Sequence, residues 1–280
     1  MSRISKIINN DNGILVPLVD RFLLEVGNSV QIVTTSDRKI VDSMMDMQSE
    51  RQEDRRQRTT FSASASPSCM REQGIAFIDG YERKSPSDPR TVTIFDDGNW
   101  RNLRWILIFN KMGILKRYET TQTRKKYNVS GTPDAEADLS AFYPDDSQLK
   151  DVGIEIKGMN MWEFSKFKNG ESNSKWARSR FMQVQTYMLI KKRKMWIIWG
   201  ENKNTQEYAE NVIYRDPDVI KYLQRRFRYQ LEARKLSMLP AIECDLHESD
   251  AKFKYCAQNK NCMKLIDEQY PTLSSMKDRK

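Results

Sequence analysis

A glutamate and a lysine stand two residues apart in a short alternating segment of the chain. Apolar residues alternate with others over residues 152–157, which is typical of a β-strand and places Glu155 and Lys157 on one of its faces. Asp134 follows a Gly-Thr-Pro turn earlier in the chain, and pairing of residues 127–143 with this strand would bring it beside Glu155. Two adjacent carboxylates repel one another unless a cation lies between them. The spacing therefore predicts a site for Mg²⁺ or Mn²⁺, of the kind that hydrolyses phosphodiesters.

Two other interpretations of this pair stay open. Glu-x-Lys is a common sequence, and an exposed strand edge with an ordinary ion pair has the same spacing. Asp138 follows Asp134 on the same face of the predicted strand and competes with it as the first carboxylate. We favour Asp134 because the Gly-Thr-Pro turn directly precedes it.

The single histidine excludes several kinds of chemistry. His247 lies close to the C-terminal end of the sequence. Enzymes with a histidine base, and metal sites with several histidines, need imidazoles in the folded core. Catalysis in this chain must therefore use carboxylates, lysine and metal.

The residues around the Glu-x-Lys pair predict the elements that position it. In chain order, apolar periodicity predicts a helix over residues 97–112 that ends at Gly113, a strand over 114–119, a hairpin or bent strand over 127–143, the strand over 152–157, a helix over 174–191 and a strand over 195–199. This order implies an α/β fold in which a mixed central sheet has helices on both faces.

The first 90 residues show less regular patterns. They predict a strand or short amphipathic helix over 14–26, a helix over 37–57 that ends in a basic linker, a Ser-rich connector over 59–66, a helix from Pro67 to Gly80 that Ser66 caps, and a loop over 81–90. We expect residues 1–58 to form an N-terminal arm and residues 59–280 to form the main domain.

Composition favours a packed globular protein with a polyanionic partner. The chain has 280 residues, of which 39% are hydrophobic, and this suffices for a sizeable core. Lysine and arginine number 47 against 38 aspartates and glutamates, and they cluster near residues 51–58, 124–126, 191–194 and 225–228. Such clusters attract nucleic acid, although a solvated basic face has the same composition.

The sequence shows neither a membrane span nor a signal-peptide core. No apolar run approaches the length of about 18 residues that spans a membrane. A polar, mixed-charge segment follows Met1 where a signal peptide has an apolar core. We therefore expect a cytoplasmic protein without a membrane partner.

Three short motifs resemble the G-x-x-D, E-x-K and Q-x-x-x-Y series of RecB-like nucleases in the PD-(D/E)XK superfamily. They are Gly131-Thr132-Pro133-Asp134, Glu155-Ile156-Lys157 and Gln183-Val184-Gln185-Thr186-Tyr187. The resemblance implies a restriction-endonuclease-like core with the element order αβββαβ. It also implies metal-dependent cleavage of DNA.

The resemblance assigns a role to each matching residue. It implies that Asp134, Glu155 and the Ile156 carbonyl bind the metal, that Lys157 assists the nucleophile, and that Gln183 and Tyr187 contact DNA or the groups behind the metal ligands. Glu119 resembles a further acidic position of many relatives. Many relatives also carry a metal-binding histidine on the preceding helix, where this chain has Asn102. The number of metals and the preferred ion therefore stay open.

Four cysteines resemble the ligands of the iron–sulfur subset of RecB-like nucleases, which includes phage exonucleases and CRISPR-adaptation nucleases. Cys69 precedes the nuclease core, and Cys244, Cys256 and Cys262 follow it. The resemblance implies a 4Fe–4S cluster that clips the two ends of the domain together. Two alternatives stay open. One is a zinc site that includes His247, and the other is that the four cysteines are unrelated buried thiols. Disulfides are not expected, because they are rare in the cytosol.

Aromatic and basic residues near the strand are candidate DNA contacts. Stacking on bases is one use of Trp162, Phe164, Phe167 and Trp176, although core packing is the more common one. Arg178 and Arg180, which lead into the helix with Gln183, are candidates for phosphate contact.

The resemblance implies an exonuclease that acts on single strands or DNA ends, in phage or bacterial DNA recombination, repair or degradation. One alternative is a non-catalytic nucleic-acid-binding module, which would predict broken carboxylates. Another is a DNA-binding adaptor subunit of a helicase–nuclease complex with little activity alone; the sequence has no P-loop, so the motor would be a separate chain. A homo-oligomer and a helicase or recombination partner also stay open.

Overall fold

The structure, a computed structural model, describes residues 7–8, 13–27, 33–53, 59–78, 88–171, 174–247, 249–254 and 256–276. Its helices are α1 (Val16–Val26), α2 (Thr35–Glu53), α3 (Met70–Ile75), α4 (Pro89–Lys111), α5 (Met161–Lys168), α6 (Lys175–Lys191), α7 (Pro217–Lys235), α8 (Ala251–Lys254) and α9 (Asn259–Asp267). Its strands are β1 (Ile7–Ile8), β2 (Phe61–Ser62), β3 (Leu115–Tyr118), β4 (Gln122–Arg124), β5 (Val129–Gly131), β6 (Ala135–Ala137), β7 (Val152–Met159), β8 (Met195–Asn202) and β9 (Tyr208–Tyr214). Lys125–Tyr127 and Ser147–Lys150 form short 3-10 helices. Among the described residues, no helix combines the length and apolar character needed to cross a membrane.

Two mixed sheets organise the chain. The large sheet has the order β1-β9-β8-β7-β6-β3, in which β7 and β8 are parallel and the other neighbours are antiparallel. The small sheet has the order β2-β5-β4, with β2 parallel to β5. The predicted α/β class, with a mixed sheet between helices, is confirmed.

Apolar side chains cover both faces of the large sheet. On one face, Ile154, Ile156 and Trp199 pack with residues of α1, α2 and α4 in the first core. On the other face, Trp196 and Ile198 pack with residues of α5, α6 and α7 in the second core. Because Glu155 and Lys157 alternate with the first-core residues, they lie on the side of the second core. A charge on that side needs polar partners within the protein.

Helix α4 is longer than the predicted helix over 97–112. It begins at Pro89, where the Asp88 side chain caps it by accepting hydrogen bonds from the backbone N–H groups of Arg90 and Thr91. Asp88-Pro89 is a favourable helix start, so residues 89 and 90 of the predicted loop are helical, while residues 81–87 of it lie outside the described residues. Gly113 has a φ of 72° and lets the chain leave the helix, as predicted.

Two arrangements were predicted for residues 127–143, a hairpin and a bent strand, and the hairpin is wrong. Only β6 joins the large sheet, whereas β5 pairs with β4 in the small sheet. Pro133 lies between β5 and β6 and has no N–H group for a ladder, so the chain changes sheets there. Beyond β6, Asp138 accepts hydrogen bonds from the N–H and hydroxyl of Ser140, and the strand ends.

The upstream elements also differ from the prediction. Residues 14–26 contain helix α1, and α2 starts at Thr35. The Ser-rich connector contains β2, and the helix predicted from Pro67 starts at Met70 with Cys69 as its N-cap residue. The predicted helix end at Gly80, and residues 54–58 of the basic linker, lie outside the described residues.

Candidate active site

Asp134 lies beside Glu155 because of the register of β6 against β7. The Asp134 carboxylate accepts a hydrogen bond of 2.7 Å from the backbone N–H of Ile156 through Oδ2. Its Oδ1 atom accepts a hydrogen bond of 3.2 Å from the Asn102 side chain. The Asp134 carboxylate thus accepts a hydrogen bond from the backbone of β7 at the point where the ladder between β6 and β7 stops. This bond fixes the orientation of the carboxylate.

Lys157 connects the two carboxylates. Its Nζ atom lies 2.7 Å from Glu155 Oε1 and 3.4 Å from Asp134 Oδ2. It also donates a hydrogen bond of 2.9 Å to the Ile156 carbonyl, so this carbonyl oxygen faces the same cluster while the Ile156 side chain is buried in the first core. The predicted residues on β7 are therefore grouped around one point.

A directed chain of hydrogen bonds from α6 reaches Glu155. Arg180 donates to Gln183 Oε1 at 2.9 Å, so the amide nitrogen of Gln183 faces the opposite way. That nitrogen lies 2.6 Å from Glu155 Oε1 and 3.1 Å from the Tyr187 hydroxyl. The Tyr187 hydroxyl donates in turn to the Thr132 carbonyl at 3.2 Å. The chain fixes both the Glu155 carboxylate and the turn that presents Asp134.

One oxygen of Glu155 has no hydrogen-bond partner. Glu155 is 1% exposed, and its Oε2 atom is buried without a donor among the described residues. Burial, and then the charge of Asp134, raise the pKa of Glu155 to about 7. A buried carboxylate oxygen without a donor is unfavourable unless a cation completes its surroundings.

The neighbouring pKa values follow from the same charges. Burial opposes the charged form of Lys157, but the carboxylates of Asp134 and Glu155 outweigh it and raise the Lys157 pKa above its ordinary value. Burial and the charge of Glu155 raise the pKa of Tyr187 well above its ordinary value. Lys157 therefore stays an ammonium, and Tyr187 stays a neutral hydroxyl that donates and accepts hydrogen bonds.

The oxygen atoms around Lys157 fit a hard divalent cation. Asp134, Glu155 and the Ile156 carbonyl supply oxygen donors, and Mg²⁺ usually binds through one or two carboxylates and keeps several waters. Among the described residues, no group of three or more His, Cys, Asp or Glu side chains could hold a metal ion. A metal at this site would therefore depend on two carboxylates, a carbonyl and water or substrate oxygens.

Glu119 and Asn102 border the same cluster. Glu119 follows β3 with a φ of 43°, a left-handed conformation that is uncommon for a residue other than glycine. Its backbone N–H donates to the Asp134 carbonyl at 3.1 Å, and its Oε1 atom lies 3.4 Å from the Asn102 amide nitrogen. Asn102 thus contacts both acidic residues as a neutral donor.

An anchor that was not predicted holds α4 in this position. Glu201, at the end of β8, is fully buried, and it accepts hydrogen bonds from Arg101, Arg104 and the Trp105 indole. Since Asn102 lies between two of these donors, the anchor also positions Asn102 next to Asp134. The signal in the sequence was weak, because the predicted strand over 195–199 stopped before Glu201.

Several predicted DNA contacts have structural roles instead. Phe164 and Phe167 are buried in the second core, so stacking on bases is wrong for both, whereas Trp162 is 74% exposed. Arg193, from a predicted basic cluster, is buried and forms ion pairs with Glu136 and Asp151. Composition alone could not separate such buried residues from a binding surface.

Asp138, the carboxylate that competed with Asp134 in the sequence, lies beyond the end of β6. It accepts hydrogen bonds from Ser140 and does not join the acidic cluster around Lys157.

The structure brings the four cysteines into one region. All four are free, and Cys262 is buried. Burial raises the pKa of Cys69 and Cys256 to about 11, and repulsion between neighbouring thiolates contributes to the values of Cys69, Cys244 and Cys256. Cys69 and Cys262 are each close enough to both Cys244 and Cys256 for the charge of one thiolate to affect the pKa of the other thiol.

Arg71 ties α3 to the C-terminal segment beside these cysteines. Arg71 is 2% exposed, and its guanidinium donates to Cys262 Sγ at 3.3 Å, to the Pro240 carbonyl at 3.0 Å and to the Thr272 hydroxyl at 2.9 Å. A buried guanidinium next to a sulfur can compensate the negative charge of thiolate ligands.

Comparison with known proteins finds a likeness in fold. No protein-family model matches the sequence, and no curated protein matches it. The alkaline exonuclease LHK-Exo from Laribacter hongkongensis is 16% identical, with a TM-score of 0.46 over 64% of this chain and 90% of that chain. The same exonuclease in complex with dAMP is 18% identical, with a TM-score of 0.45 over 64% of this chain and 89% of that chain. A phage-related exonuclease from Haemophilus somnus 129PT is 13% identical, with a TM-score of 0.44 over 64% of this chain and 96% of that chain.

Proposed function

We propose that the chain is a divalent-metal-dependent deoxyribonuclease with its active site at Asp134, Glu155 and Lys157. The observation that carries the proposal is the donor-free Oε2 atom of Glu155, which is buried next to a second carboxylate. Lys157 contacts both carboxylates and supplies a positive charge where a phosphate would bind. This combination suits the hydrolysis of a phosphodiester.

Each residue has a distinct part in the proposed reaction. Asp134, Glu155 and the Ile156 carbonyl would hold Mg²⁺ or Mn²⁺, which polarises the scissile phosphate and makes a bound water more acidic. Lys157 would stabilise the negative charge that develops on the phosphate oxygens. Gln183 and Tyr187 would keep Glu155 in one orientation through the hydrogen-bond chain from Arg180.

The substrate we propose is DNA, in single-stranded form or at duplex ends. The net charge of +9 supports a polyphosphate substrate. The preference for exonuclease activity rests on the motif resemblance, as does a role in phage or bacterial DNA recombination, repair or degradation.

Digestion of end-labelled single- and double-stranded DNA with Mg²⁺, Mn²⁺ or EDTA tests this function. We expect cation-dependent cleavage by the wild type and its loss in Lys157→Ala. Lys168→Ala is the matched control, because Lys168 is an exposed lysine whose surface ion pair with Glu207 should matter little. If the wild type binds DNA but never cuts it, or if Lys157→Ala cuts as well as Lys168→Ala, the catalytic assignment fails and a DNA-binding adaptor takes its place.

We also propose that Cys69, Cys244, Cys256 and Cys262 bind a 4Fe–4S cluster. A zinc ion with four sulfur ligands at about 2.3 Å brings the sulfurs to within about 4 Å of one another. No such group exists among the described residues. A cluster attaches each cysteine to a different iron atom and so spans a wider set of thiols. The buried Arg71, which donates to Cys262 Sγ, would balance part of the negative charge of the thiolate ligands.

Metal analysis of anaerobically purified protein tests the cluster. We expect iron and acid-labile sulfide in equal amounts, with the broad visible absorption of an iron–sulfur protein, and the loss of both in Cys262→Ser. Stoichiometric zinc without sulfide would overturn the assignment in favour of a zinc site. Neither metal in the wild type would favour four unrelated buried thiols.

A further inference from the structure

Two cationic segments that are about 100 residues apart in sequence meet at one tyrosine. Lys126, in the 3-10 helix Lys125–Tyr127, places its Nζ atom 5.8 Å from the centroid of the Tyr127 ring. Arg228, on α7, places its guanidinium carbon at 5.8 Å from the same centroid. Lys125 and Arg225 are exposed neighbours of these two residues in their respective helices. We call this group, Lys125, Lys126, Arg225 and Arg228 around Tyr127, the Tyr127 patch.

The positive charges of the Tyr127 patch are not neutralised within the described part of the chain. None of the four cations takes part in an ion pair there. The Tyr127 ring attracts both cations through its face but carries no net charge. Like charges that converge in this way repel one another, so a ligand with negative charges would relieve the repulsion. Arg193, whose basic cluster looked similar in the sequence, is by contrast paired with two carboxylates.

The Tyr127 patch is rigidly connected to the proposed active site. The Tyr127 side chain is 3% exposed and belongs to the second core together with Phe227 of α7. The strand that follows it, β5, ends at Gly131, which lies directly against the Tyr187 ring. The Tyr187 hydroxyl also bonds to the Thr132 carbonyl. The patch therefore has a fixed position relative to Asp134.

Chain length limits the distance between the Tyr127 patch and the active site. Asp134 follows Tyr127 by seven residues, which span at most about 25 Å. One strand of duplex DNA advances about 3.4 Å for each base pair, so this gap corresponds to about seven base pairs at most. DNA longer than this can contact the patch and the active site together.

We infer that the Tyr127 patch is a second DNA-binding surface, which holds backbone phosphates of the DNA that extends away from the site of cleavage. The inference rests on the proposed function for the identity of the ligand. Each phosphate contact contributes about 0.9 to the slope of log affinity against log salt. The loss of two contacts should lower this slope by about 2 and weaken binding roughly 10- to 60-fold near 0.1 M salt.

A double variant, Lys126→Gln with Arg228→Gln, tests the surface. Its binding to a labelled duplex of about 30 base pairs, well beyond the seven that span the gap, is measured in Ca²⁺ over a series of salt concentrations. Hydrolysis of bis(p-nitrophenyl) phosphate is measured in Mn²⁺, because this single phosphodiester cannot reach the patch. Arg38→Gln with Lys39→Gln is the matched control, since both residues are exposed on α2, which packs on the opposite face of the large sheet.

We expect the double variant to lose DNA affinity and salt dependence while it hydrolyses the small phosphodiester as the wild type does. Equal loss in the control, or unchanged DNA binding by the variant, would refute the surface. Arg228→Lys with Lys126→Arg keeps the charges and should bind like the wild type, which separates the loss of charge from a folding defect. If the variant binds DNA normally but loses binding to polyglutamate, the surface recognises acidic protein and the inference is overturned.

The failure of the two proposals can be told apart. A wild type that binds DNA through the patch but cuts neither substrate contradicts the proposed nuclease and leaves the DNA surface standing. A wild type that cuts both substrates, with a double variant that binds long DNA equally well, contradicts only the surface.

Discussion

Gln183 offers the sharpest test of how the acidic cluster is organised. Its amide nitrogen lies 2.6 Å from Glu155 Oε1, and its amide oxygen accepts a hydrogen bond from Arg180. Methionine has a similar volume and no amide, so Gln183→Met removes both contacts without opening a large cavity. Glu155 Oε1 then keeps its contact with Lys157 Nζ but loses the Gln183 amide, which helps to orient the carboxylate so that Oε2 faces the proposed cation.

The expected effect follows from the burial of Glu155. A hydrogen bond to a charged group contributes about 1.5–3 kcal/mol. Since about 1.4 kcal/mol corresponds to a factor of ten, cation binding should weaken roughly 10- to 100-fold, the range usual for residues behind metal ligands. The effect should fall at the upper end, because Glu155 is 1% exposed and water cannot replace the lost donor.

The measurement is a titration of Mn²⁺ into cation-free protein, followed by calorimetry or by the electron paramagnetic resonance of free Mn²⁺. Gln185→Met is the matched control. Gln185 is fully buried on the same helix, where its side chain bonds to the Tyr214 carbonyl and to the backbone N–H of Asp216, away from the cluster. Both variants should lose stability, but only Gln183→Met should lose affinity for the cation.

Two results would refute this reasoning. One is an unchanged Mn²⁺ affinity in Gln183→Met, which would mean that the cation does not bind to the oriented Glu155 carboxylate. The other is an equal loss of affinity in Gln185→Met, which would show that any disturbance of α6 has the same effect. In either case, the hydrogen-bond chain from Arg180 would have no specific role at the site.

Further predictions concern stability and are each measured by urea denaturation. Gly131→Ala should lower the free energy of unfolding by about 1–3 kcal/mol, because its Cβ atom would lie 2.5 Å from Cε1 of Tyr187; no loss would contradict this packing. Gly98→Ala, in α4, should instead raise it by about 0.5–1 kcal/mol, since a Cβ atom there meets nothing within 4 Å, and a decrease would refute this. Burial opposes ionisation of Asp37, but a backbone N–H and the Lys111 ammonium outweigh it and lower the Asp37 pKa to about 2. This depressed pKa stabilises the fold by about 2 kcal/mol above pH 4, and the contribution disappears as pH falls towards 2. Asp37→Asn should therefore destabilise the protein at pH 7 and much less at pH 2, and an equal loss at both would exclude this origin.

Local patterns predicted the two elements that carry most of the candidate site. The alternation over residues 152–157 is confirmed in β7, because a strand buried on one face by apolar residues specifies which side chains project from the other. The helix over 174–191 is confirmed in α6, where Ser174 caps the first turn and Gln183 and Tyr187 lie one turn apart. Both signals depend on a single element and its immediate flanks.

Contacts between distant elements were harder to predict. Strands β5 and β6 have three residues each, too few to show a period, and only their partners reveal that they belong to different sheets. The bond from the Ile156 N–H to Asp134 depends on that division. The hydrogen bond from Arg180 to Gln183 lies within α6. Its effect on the site depends on Glu155 of β7, which accepts a hydrogen bond from the amide nitrogen of the same Gln183.

Composition was least informative about which residues are exposed. Phe164 and Phe167 share a segment with lysines, yet the short helix α5 buries both rings against the large sheet. Arg226 lies in a basic cluster but is 4% exposed, and it donates to the Ser68 carbonyl. Its neighbour Arg228 remains on the surface. The phase of a helix against a core decides between these outcomes, and one sequence gives that phase only where apolar residues are regular.

Two aromatic rings separate the small sheet from the large one. Tyr187 stacks on Trp196 with ring centroids 5.1 Å apart, and each ring lies against a glycine, Gly131 on one side and Gly153 on the other. The thickness of the two rings therefore sets the spacing between the sheets, and a side chain at either glycine would have to displace the neighbouring ring. In evolutionary terms, the four positions form one unit of selection. We expect natural relatives of this chain to change position 131 together with 187, and position 153 together with 196, so that the sum of the side-chain volumes is kept.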